Sequence, residues 1–290
     1  MLNLLKPRTL SKLVCGALCM LSLSSTAFAQ RNNKAKDLGS PKILENLPTF
    51  FVDDAVFPAY LKQIYKVDAT RLAVRLLNKE QRVTKQTVRV PEELVKSIYN
   101  ALIAVRVSDY GAIDSIAKMY YVRTFAQPSV ESIVLLFEHD DPILDPIKQR
   151  KDSTGNAGVN RIIKEHNLVM SKLSYMDEER SGLVLQSREP INIGALTHKL
   201  FMEEGIGCID EKTPWGDGND ISIDRSKTGW EITYSVKFGN CQNQCPKSYN
   251  WKFAVSEGGE VTYLGGAGDI IPTFLATSAA SKKFPDVLKK

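Results

Sequence analysis

Two stretches in the carboxyl-terminal third alternate apolar and polar residues without a break, and this pattern constrains the fold more than any other feature of the chain. Their apolar positions are Trp230, Ile232, Tyr234, Val236 and Phe238, followed by Trp251, Phe253 and Val255. Because alternate side chains of a strand point to one face, each stretch is predicted to bury that face. A further strand is predicted at "VTYL", after the turn "EGG". Residues 229–264 are therefore predicted to form an antiparallel meander that packs against helices.

A helical period marks the segment "TVRVPEELVKSIYNALIAVRV". Its apolar residues on one face are Leu94, Val95, Ile98, Tyr99, Leu102 and Ile103. Pro91 suits a first helical position, and the acidic residues Glu92 and Glu93 suit the positive end of the helix dipole. This segment is the most clearly predicted helix of the chain.

The segment that follows residue 158 predicts a helix, two strands and another helix. Val159, Ile162 and Ile163 indicate a short amphipathic helix, and "LVMSKLSY" and "GLVLQS" have the composition of strands. "NIGALTHKLFMEEG" returns to helix, with Asn192 as its cap and Gly205 as its stop. Together with the meander, this order predicts an α+β fold in which helices pack on antiparallel sheet.

Three other segments have weaker patterns. The period of "DATRLAVRLL" (68–77) does not decide between strand and short helix. "YYVRTFA" and "ESIVLLFE" are apolar, β-favouring runs, and they predict a strand pair or consecutive strands of one sheet. "LGGAGD" (264–269) is predicted to be a turn, because no helix pattern follows it.

The polar, glycine-containing segment Lys148–Gly158 is typical of a linker and predicts a boundary between two subdomains. The first subdomain would span residues 50–150 and the second residues 151–272. Residues 30–49 are predicted to be a flexible leader, with order beginning near Phe50, and residues 273–290 a loose tail.

The first 29 residues predict export. Lys6, Arg8 and Lys12 precede the apolar run "LVCGALCMLSL", and "AFA" ending at Ala29 has the pattern of a cleavage site. The run is shorter than the roughly 20 residues that cross a bilayer, and no later stretch reaches that length. We therefore expect a signal peptide, cleavage near Ala29, no membrane span, and a secreted or periplasmic location.

The overall charge gives no support to a nucleic-acid partner. Removing residues 1–29 leaves 35 basic side chains against 33 acidic ones, which lowers the formal net charge from +5 to +2. Lys and Arg are interspersed with Asp and Glu along the chain, whereas nucleic-acid-binding proteins concentrate basic residues on one surface.

The loop "FGNCQNQCPKS" between the two alternating stretches contains Cys241 and Cys245. In an exported chain, two nearby thiols are expected to form a disulfide. A metal site would need about four ligands, with His198 the nearest imidazole, and a redox site would favour C-x-x-C spacing. Closing so short a loop stabilises the protein little, so the predicted role of the disulfide is to fix the shape of the loop.

This loop is the candidate recognition surface. Its proposed binding residues are Asn240, Gln242, Asn243, Gln244 and Lys247. Cleavage near Ala29 would remove Cys15 and Cys19, and the third cysteine left, Cys208 in "GIGCID", is expected in a strand as a small apolar residue. The alternative is that Cys208 pairs with one of the two loop cysteines.

Two polar clusters could in principle bind a metal. The first, in "WGDGNDISID", comprises Asp217, Asn219, Asp220 and Asp224; the second, in "FEHDDP", comprises Glu138, His139, Asp140 and Asp141. An EF-hand would place glutamate where this chain has Thr228, so a solvated turn is the preferred interpretation of the first cluster. The second is interpreted as the polar end of a strand.

Signatures of common enzyme classes are missing from the sequence. It contains no G-x-S-x-G, H-E-x-x-H, P-loop or dinucleotide-binding motif. Its three histidines, His139, His166 and His198, fall on different predicted elements. The sequence therefore nominates no catalytic residue, cofactor ligand or metal ligand.

The carboxyl-terminal region resembles a group of secreted bacterial proteins of uncharacterised function. Their motif G-D-C-P-x-G-C is followed by a W-x-F-x-V strand and a G-x-V turn. The corresponding residues here are Gly239, Cys241, Cys245, Trp251, Phe253, Val255, Gly259 and Val261, and "TGN" (154–156) and "GDGNDI" are also similar. The chain departs from the motif at Asn240, Gln242 and Gln244. The resemblance covers about residues 150–265 and implies export and an α+β fold with a clipped loop.

These features favour an exported, non-enzymatic protein that binds a protein, a peptide or a glycan. The alternative is a secreted hydrolase, or an inhibitor or propeptide-like regulator of one, because helix-strand-strand-helix layers recur in such modules. A pocket that brings His139 or His198 within hydrogen-bond reach of a carboxylate or of Cys208 would favour the enzyme.

Overall fold

The structure is a computed structural model that describes residues 41–80, 87–125, 129–212 and 216–276. Its strands are β1 (Ser132–Glu138), β2 (Leu168–Tyr175), β3 (Arg180–Ser187), β4 (Cys208–Asp210), β5 (Asp220–Ser226), β6 (Gly229–Phe238), β7 (Lys247–Ser256) and β8 (Val261–Gly268). Its longer helices are α1 (Ala59–Glu80), α2 (Glu92–Val107), α3 (Ala157–Glu165) and α4 (Ile193–Phe201). The strands form two antiparallel sheets, ordered β2-β3-β1-β4 and β5-β6-β7-β8. The predicted α+β class is confirmed.

The second sheet contains the predicted meander, since β6, β7 and β8 are consecutive neighbours. Helices α1 and α2 pack on its inner face and form what we call the aromatic core, whose buried rings are Tyr65, Trp230, Tyr234, Phe238, Trp251 and Phe253. Trp230 is fully buried, and its Nε1 donates to Ser97 Oγ at 3.1 Å. Ser97 Oγ donates in turn to the carbonyl of Pro48 at 2.7 Å, so the indole is held to α2 and to the chain that precedes α1.

The first sheet and helices α3 and α4 enclose a separate aliphatic core, in which Phe137 is the one buried aromatic residue among those that the structure describes. The predicted order of helix, two strands and helix is confirmed here. Asn192 caps α4 by accepting a hydrogen bond from the backbone N–H of Ala195, as predicted, and Asn156 caps α3 in the same way. Helix α4 ends at Phe201, before the predicted stop at Gly205, which adopts a left-handed turn with φ of 82°.

Helix α1 contains the segment 68–77 whose period was undecided. The helix is buried on more than one side, because its residues contact the aromatic core while Asn78 Oδ1 accepts a hydrogen bond from Asn192 Nδ2 at 2.7 Å. Val74 is fully buried outside both cores. Over residues 67–78 the helix is buried or half-buried on every side, so this part has no exposed face to mark a 3.6-residue period in the sequence.

Two strand-and-turn predictions were wrong. The described part of "YYVRTFA", residues 120–125, forms no strand. The backbone N–H groups of Thr124 and Phe125 donate to the carboxylates of Asp68 and Asp220, and β1 pairs instead with β3 and β4. "LGGAGD" is largely the end of β8 and not a turn. Gly265 and Gly268 have φ of 112° and 136°, and a Cβ at Gly268 would overlap the backbone of Ser248 on β7. Glycine therefore allows β8 to continue against β7.

Pairing within the first sheet crosses the predicted subdomain boundary near residue 150. β1 lies before this point and hydrogen-bonds to β3 and β4, which lie after it. The N-terminal helices pack instead on the C-terminal sheet. Both the first sheet and the aromatic core therefore combine elements from the two sides of residue 150.

The ends of the chain lie only partly within the described ranges. The predicted leader is described from residue 41, and Ile43 is buried in the aromatic core, so order begins before Phe50. The predicted signal peptide (1–29) and the tail beyond residue 276 lie outside the described residues. Within the described ranges, no helix combines the length and apolar character that a membrane span requires.

Candidate functional site

The predicted recognition loop connects β6 to β7 at one end of the second sheet. The last paired residues of the two strands are Phe238 and Lys247. Within the loop, Cys241 and Cys245 form a disulfide with each other. Gly239 has φ of 104°, and a Cβ there would come within 2.7 Å of the Pro246 ring. The tight return of the loop therefore requires glycine at this position.

Asp217 holds the loop from the side. Its backbone N–H donates to the carbonyl of Cys241 at 3.0 Å, and its Oδ2 accepts from the backbone N–H of Cys245 at 3.2 Å. Its Oδ1 accepts from Lys237 Nζ at 2.7 Å. Burial opposes ionisation of this carboxyl, but the hydrogen bonds from Lys237, Cys245 and Gly218 outweigh burial and lower its pKa. The backbone N–H of Asp217 therefore holds the Cys241 end of the loop, and its ionised side chain links the Cys245 end to Lys237 on β6.

Gly216 makes the close approach of this segment possible. Its φ is 88°, and a Cβ would lie 2.7 Å from the carbonyl oxygen of Cys241. A larger residue would push the segment away from the disulfide loop and stretch the hydrogen bonds of Asp217.

Asp220 forms a second support next to the first. Arg75 Nη1 donates to both of its carboxylate oxygens, at 3.0 and 3.1 Å, and the backbone N–H of Phe125 donates to Oδ1 at 2.7 Å. Arg75 Nη2 also donates to the carbonyl of Phe125 at 2.7 Å. Helix α1, the chain near Phe125 and β5 are thereby fixed to one another beside the loop.

The carboxylates of the acidic cluster that was considered as a metal site are instead paired with basic side chains of the protein. Asp217 pairs with Lys237, Asp220 with Arg75, and the exposed Asp224 with Lys79. Asn219 Oδ1 accepts from the backbone N–H of Lys237 at 3.0 Å. In the part of the chain that the structure describes, no group of three potential ligands is placed to hold a metal ion.

An open depression of about 500 Å³ lies between the loop and these two ion pairs. Its lining residues are Arg75, Phe125, Gly216, Asp217, Asp220, Lys237, Asn243 and Gln244. All five predicted recognition residues, Asn240, Gln242, Asn243, Gln244 and Lys247, are exposed. The structure brings Asn243 and Gln244 to the wall of the depression, whereas the other three lie outside its lining. Exposed amides over paired charges can form hydrogen bonds with a polar partner.

The cluster around His139 has structural contacts instead. His139 Nδ1 lies 2.8 Å from Ser181 Oγ, whose residue is 2% exposed, and its Nε2 lies 3.1 Å from the carbonyl oxygen of Asp177. Asp141 accepts from the backbone N–H of Ile143 and caps a helical turn. These contacts join the end of β1 to the β2–β3 hairpin. Cys208 is half-buried at the start of β4.

Sequence reasoning missed most of what supports the loop. Arg75, Phe125 and Lys237 come from three separate segments, and no local pattern connects them to Cys241 and Cys245. The one available signal was the pair of glycines around Asp217, which indicates a tight backbone approach. No protein family, curated protein or solved structure matches the chain.

Proposed function

We propose that the chain is an exported, non-enzymatic binding protein whose disulfide loop docks a protein, a peptide or a glycan. Export is supported by the signal-like residues 1–29 and by a disulfide, which persists in oxidising compartments. After cleavage near Ala29 the protein would be secreted or periplasmic.

The observation that carries this proposal is the support of the loop from outside itself. The exposed amides of Asn243 and Gln244 lie on a loop that is closed by a disulfide and held by Asp217. A surface that is fixed before binding loses less conformational entropy when a partner docks. Such a loop is suited to recognition.

The alternative of a hydrolase has less support. His139 contacts the hydroxyl of the buried Ser181 and the carbonyl of Asp177, and neither contact is to a carboxylate or to Cys208. His166 Nε2 lies 3.4 Å from a carboxylate oxygen of Glu165, but that carboxylate is already paired with Lys199. A regulator of a hydrolase remains one kind of binding protein, and the partner in that case would be the enzyme.

The test is capture with purified mature protein, using envelope and extracellular extracts of the source. The double variant Asn243→Ala/Gln244→Ala removes the loop amides, and Gln149→Ala removes an exposed amide elsewhere as a matched control. We expect wild type and the control to retain one partner and the double variant to lose it by about tenfold or more, at unchanged thermal stability. Equal retention by all three proteins, or cleavage of an extract component by wild type, would contradict the proposal.

A further inference from the structure

Three side chains meet where α3 ends, and we call them the histidine cluster: Glu165, His166 and Lys199. Lys199 Nζ donates to Glu165 Oε1 at 2.8 Å and lies 3.1 Å from His166 Nε2. His166 Nε2 is 3.4 Å from the same carboxylate oxygen. Glu165 is the last residue of α3 and His166 follows it, whereas Lys199 belongs to α4. Lys199 is therefore the member of the cluster that links the two helices.

The imidazole of His166 is neutral near pH 7. Its side chain is 8% exposed, and burial, reinforced by the charge of Lys199, lowers its pKa, although Glu165 opposes the shift. Since an ammonium group can only donate, Nε2 accepts from Lys199 and the ring proton is on Nδ1. Nδ1 is buried and has no hydrogen-bond partner among the residues that the structure describes. Because Nδ1 carries a proton in both charge states of the ring, the pH dependence comes from Nε2.

The other charged groups around the cluster decide which partner His166 takes in acid. The hydrogen bond from Lys199 lowers the pKa of Glu165, so this carboxylate stays ionised in mildly acidic solution. Arg89, from the segment before α2, adds a positive charge that lowers the pKa of His166 further. The surface depression that His166 lines also contains Lys164, Arg188 and Glu189. Glu165 is thus the anion in position to accept a hydrogen bond from Nε2.

A proton on Nε2 changes the contacts within the cluster. The protonated ring has no acceptor for Lys199, and two cations 3.1 Å apart repel each other. The new N–H can donate to Glu165, 3.4 Å away. The side chain of Lys199 is 38% exposed, so its ammonium group can move into solvent. Protonation thereby replaces a contact between α3 and α4 with a contact between two neighbours at the end of α3.

The contact that acid removes lies at one end of the helix pair. The start of α3 is held to the chain after α4 by two contacts that involve no histidine, those of Asn156 with Glu204 and of Arg161 with Glu203. After His166, Asn167 turns the chain with φ of 52°, and Leu168 begins β2. We propose that the histidine cluster is an acid-sensitive latch between α3 and α4, in which a proton on His166 releases Lys199 and loosens the turn from α3 into β2.

The direction of the pH dependence follows from the neutral state of His166. Since its folded pKa is lowered, the stability linked to this group is present above about pH 6.5, the unfolded pKa, and is lost as pH falls through the folded pKa. The disulfide loop lies on the other sheet, and Asp217, whose pKa is lowered, is still ionised at pH 5. Mild acid should therefore loosen the end of α3 and leave the loop in place.

Hydrogen exchange of the full-length mature protein, followed by mass spectrometry at pH 7.5 and pH 5.0, tests the latch. After correction for intrinsic rates, we expect the amides of residues 163–169 to exchange about tenfold faster at pH 5.0, because the open turn takes up a proton with the ordinary histidine pKa. Exchange in β6 and β7 should change less than about twofold, because these strands open only with the whole protein. Equal quickening in both sheets, or no change at residues 163–169, would overturn the proposal.

Three variants locate the effect in the cluster. His166→Gln keeps a carbonyl acceptor for Lys199 that does not titrate, so exchange at residues 163–169 should be equally slow at both pH values. Lys199→Met keeps the apolar stem but removes the link, so exchange there should be equally fast at both. His198→Gln removes the neighbouring histidine on α4 and should respond to pH like wild type. A wild-type response in His166→Gln, or loss of the response in His198→Gln, would contradict the latch.

Nuclear magnetic resonance of the imidazole nitrogens tests the starting state independently of exchange. At pH 7.5 we expect the ¹⁵N pattern of the Nδ1–H tautomer for His166, because Nε2 accepts from Lys199. The titration midpoint of His166 should rise in Lys199→Met, since a neighbouring positive charge is removed. A proton on Nε2 at pH 7.5, or a midpoint that Lys199→Met leaves unchanged, would also overturn the proposal.

Discussion

The aromatic core and the aliphatic core differ in how their surroundings are built. The aromatic core joins two N-terminal helices to the C-terminal sheet, and its rings contact one another, as in the edge-to-face pair of Tyr234 and Phe253 at 5.9 Å. The aliphatic core lies on one face of its sheet, and part of the other face borders an open trough. Large enclosed side chains thus fill the space under one sheet, whereas the other sheet leaves an open concave surface.

Removing the largest side chain of the aromatic core should have the greatest effect. We expect Trp230→Ala to lower the free energy of unfolding by about 3–5 kcal/mol, because it leaves a cavity and removes the hydrogen bond to Ser97. Urea denaturation followed by circular dichroism measures this change. Hydrogen exchange should quicken most in β6 and β7 and less in β1 and β3.

A conservative variant provides the control for this experiment. Trp230→Phe keeps most of the apolar volume. Loss of the hydrogen bond to Ser97 should lower its free energy of unfolding by about 1 kcal/mol, in addition to the effect of the smaller ring. If Trp230→Ala changes the unfolding free energy by less than 1 kcal/mol, or if exchange quickens equally in both sheets, the contrast between the two cores does not hold.

The predictability of the fold follows the same division. The strands of the aromatic core have one buried face each, so Trp230–Phe238 and Trp251–Val255 alternate and the sequence predicts them. Helix α1 touches both regions and therefore has no readable period. β1 lies before residue 150 and pairs with β3, which lies after it. The linker-like composition of Lys148–Gly158 gives no sign of this long-range pairing.

The candidate site was predictable only in its outline. Export and cysteine spacing predict the Cys241–Cys245 disulfide, which the structure contains. The roles of Asp217 and Asp220 were not predictable, because their partners Lys237 and Arg75 come from elements distant in sequence. From the sequence alone, a cluster of carboxylates suggests a metal site, because the cationic side chains that pair with them in the fold are not known.

Removing the carboxylate that holds the loop should have an intermediate effect. We expect Asp217→Asn to cost about 1–2 kcal/mol near pH 7, because it weakens the contacts to Lys237 and to the loop backbone. The folded pKa of Asp217 is lowered, so this stabilisation is present above about pH 4 and is lost as pH falls through the folded pKa. Unfolding at several pH values measures it.

The expected signature is a difference between wild type and Asp217→Asn that shrinks toward pH 3. The exposed pair Asp224–Lys79 supplies the control, and Asp224→Asn should change stability by less than 1 kcal/mol. A difference that persists unchanged at pH 3 would show that the charge of Asp217 has no role.

The stability linked to a buried carboxyl in the aromatic core, that of Asp68, should change with pH in the direction opposite to that of Asp217 and by a smaller amount. Burial raises the pKa of Asp68, although hydrogen bonds from Thr124 and the charge of Arg123 oppose the shift. The stability linked to this shift is present below about pH 4, the unfolded pKa, and is lost as pH rises through the folded pKa. Asp68→Asn should therefore gain stability relative to wild type as pH rises from 3 to 7, as measured by urea unfolding. A constant difference over this range would contradict the assignment.

The central claim is that the disulfide gives the loop a shape that a partner recognises. The most direct test measures the Kd of the captured partner for wild type and for Cys241→Ser/Cys245→Ser. Because the closed loop is short, the double variant should lose at most about 2 kcal/mol of stability and remain folded. We predict that it binds the partner at least tenfold more weakly, at unchanged circular dichroism. Unchanged affinity in a folded double variant would contradict the claim.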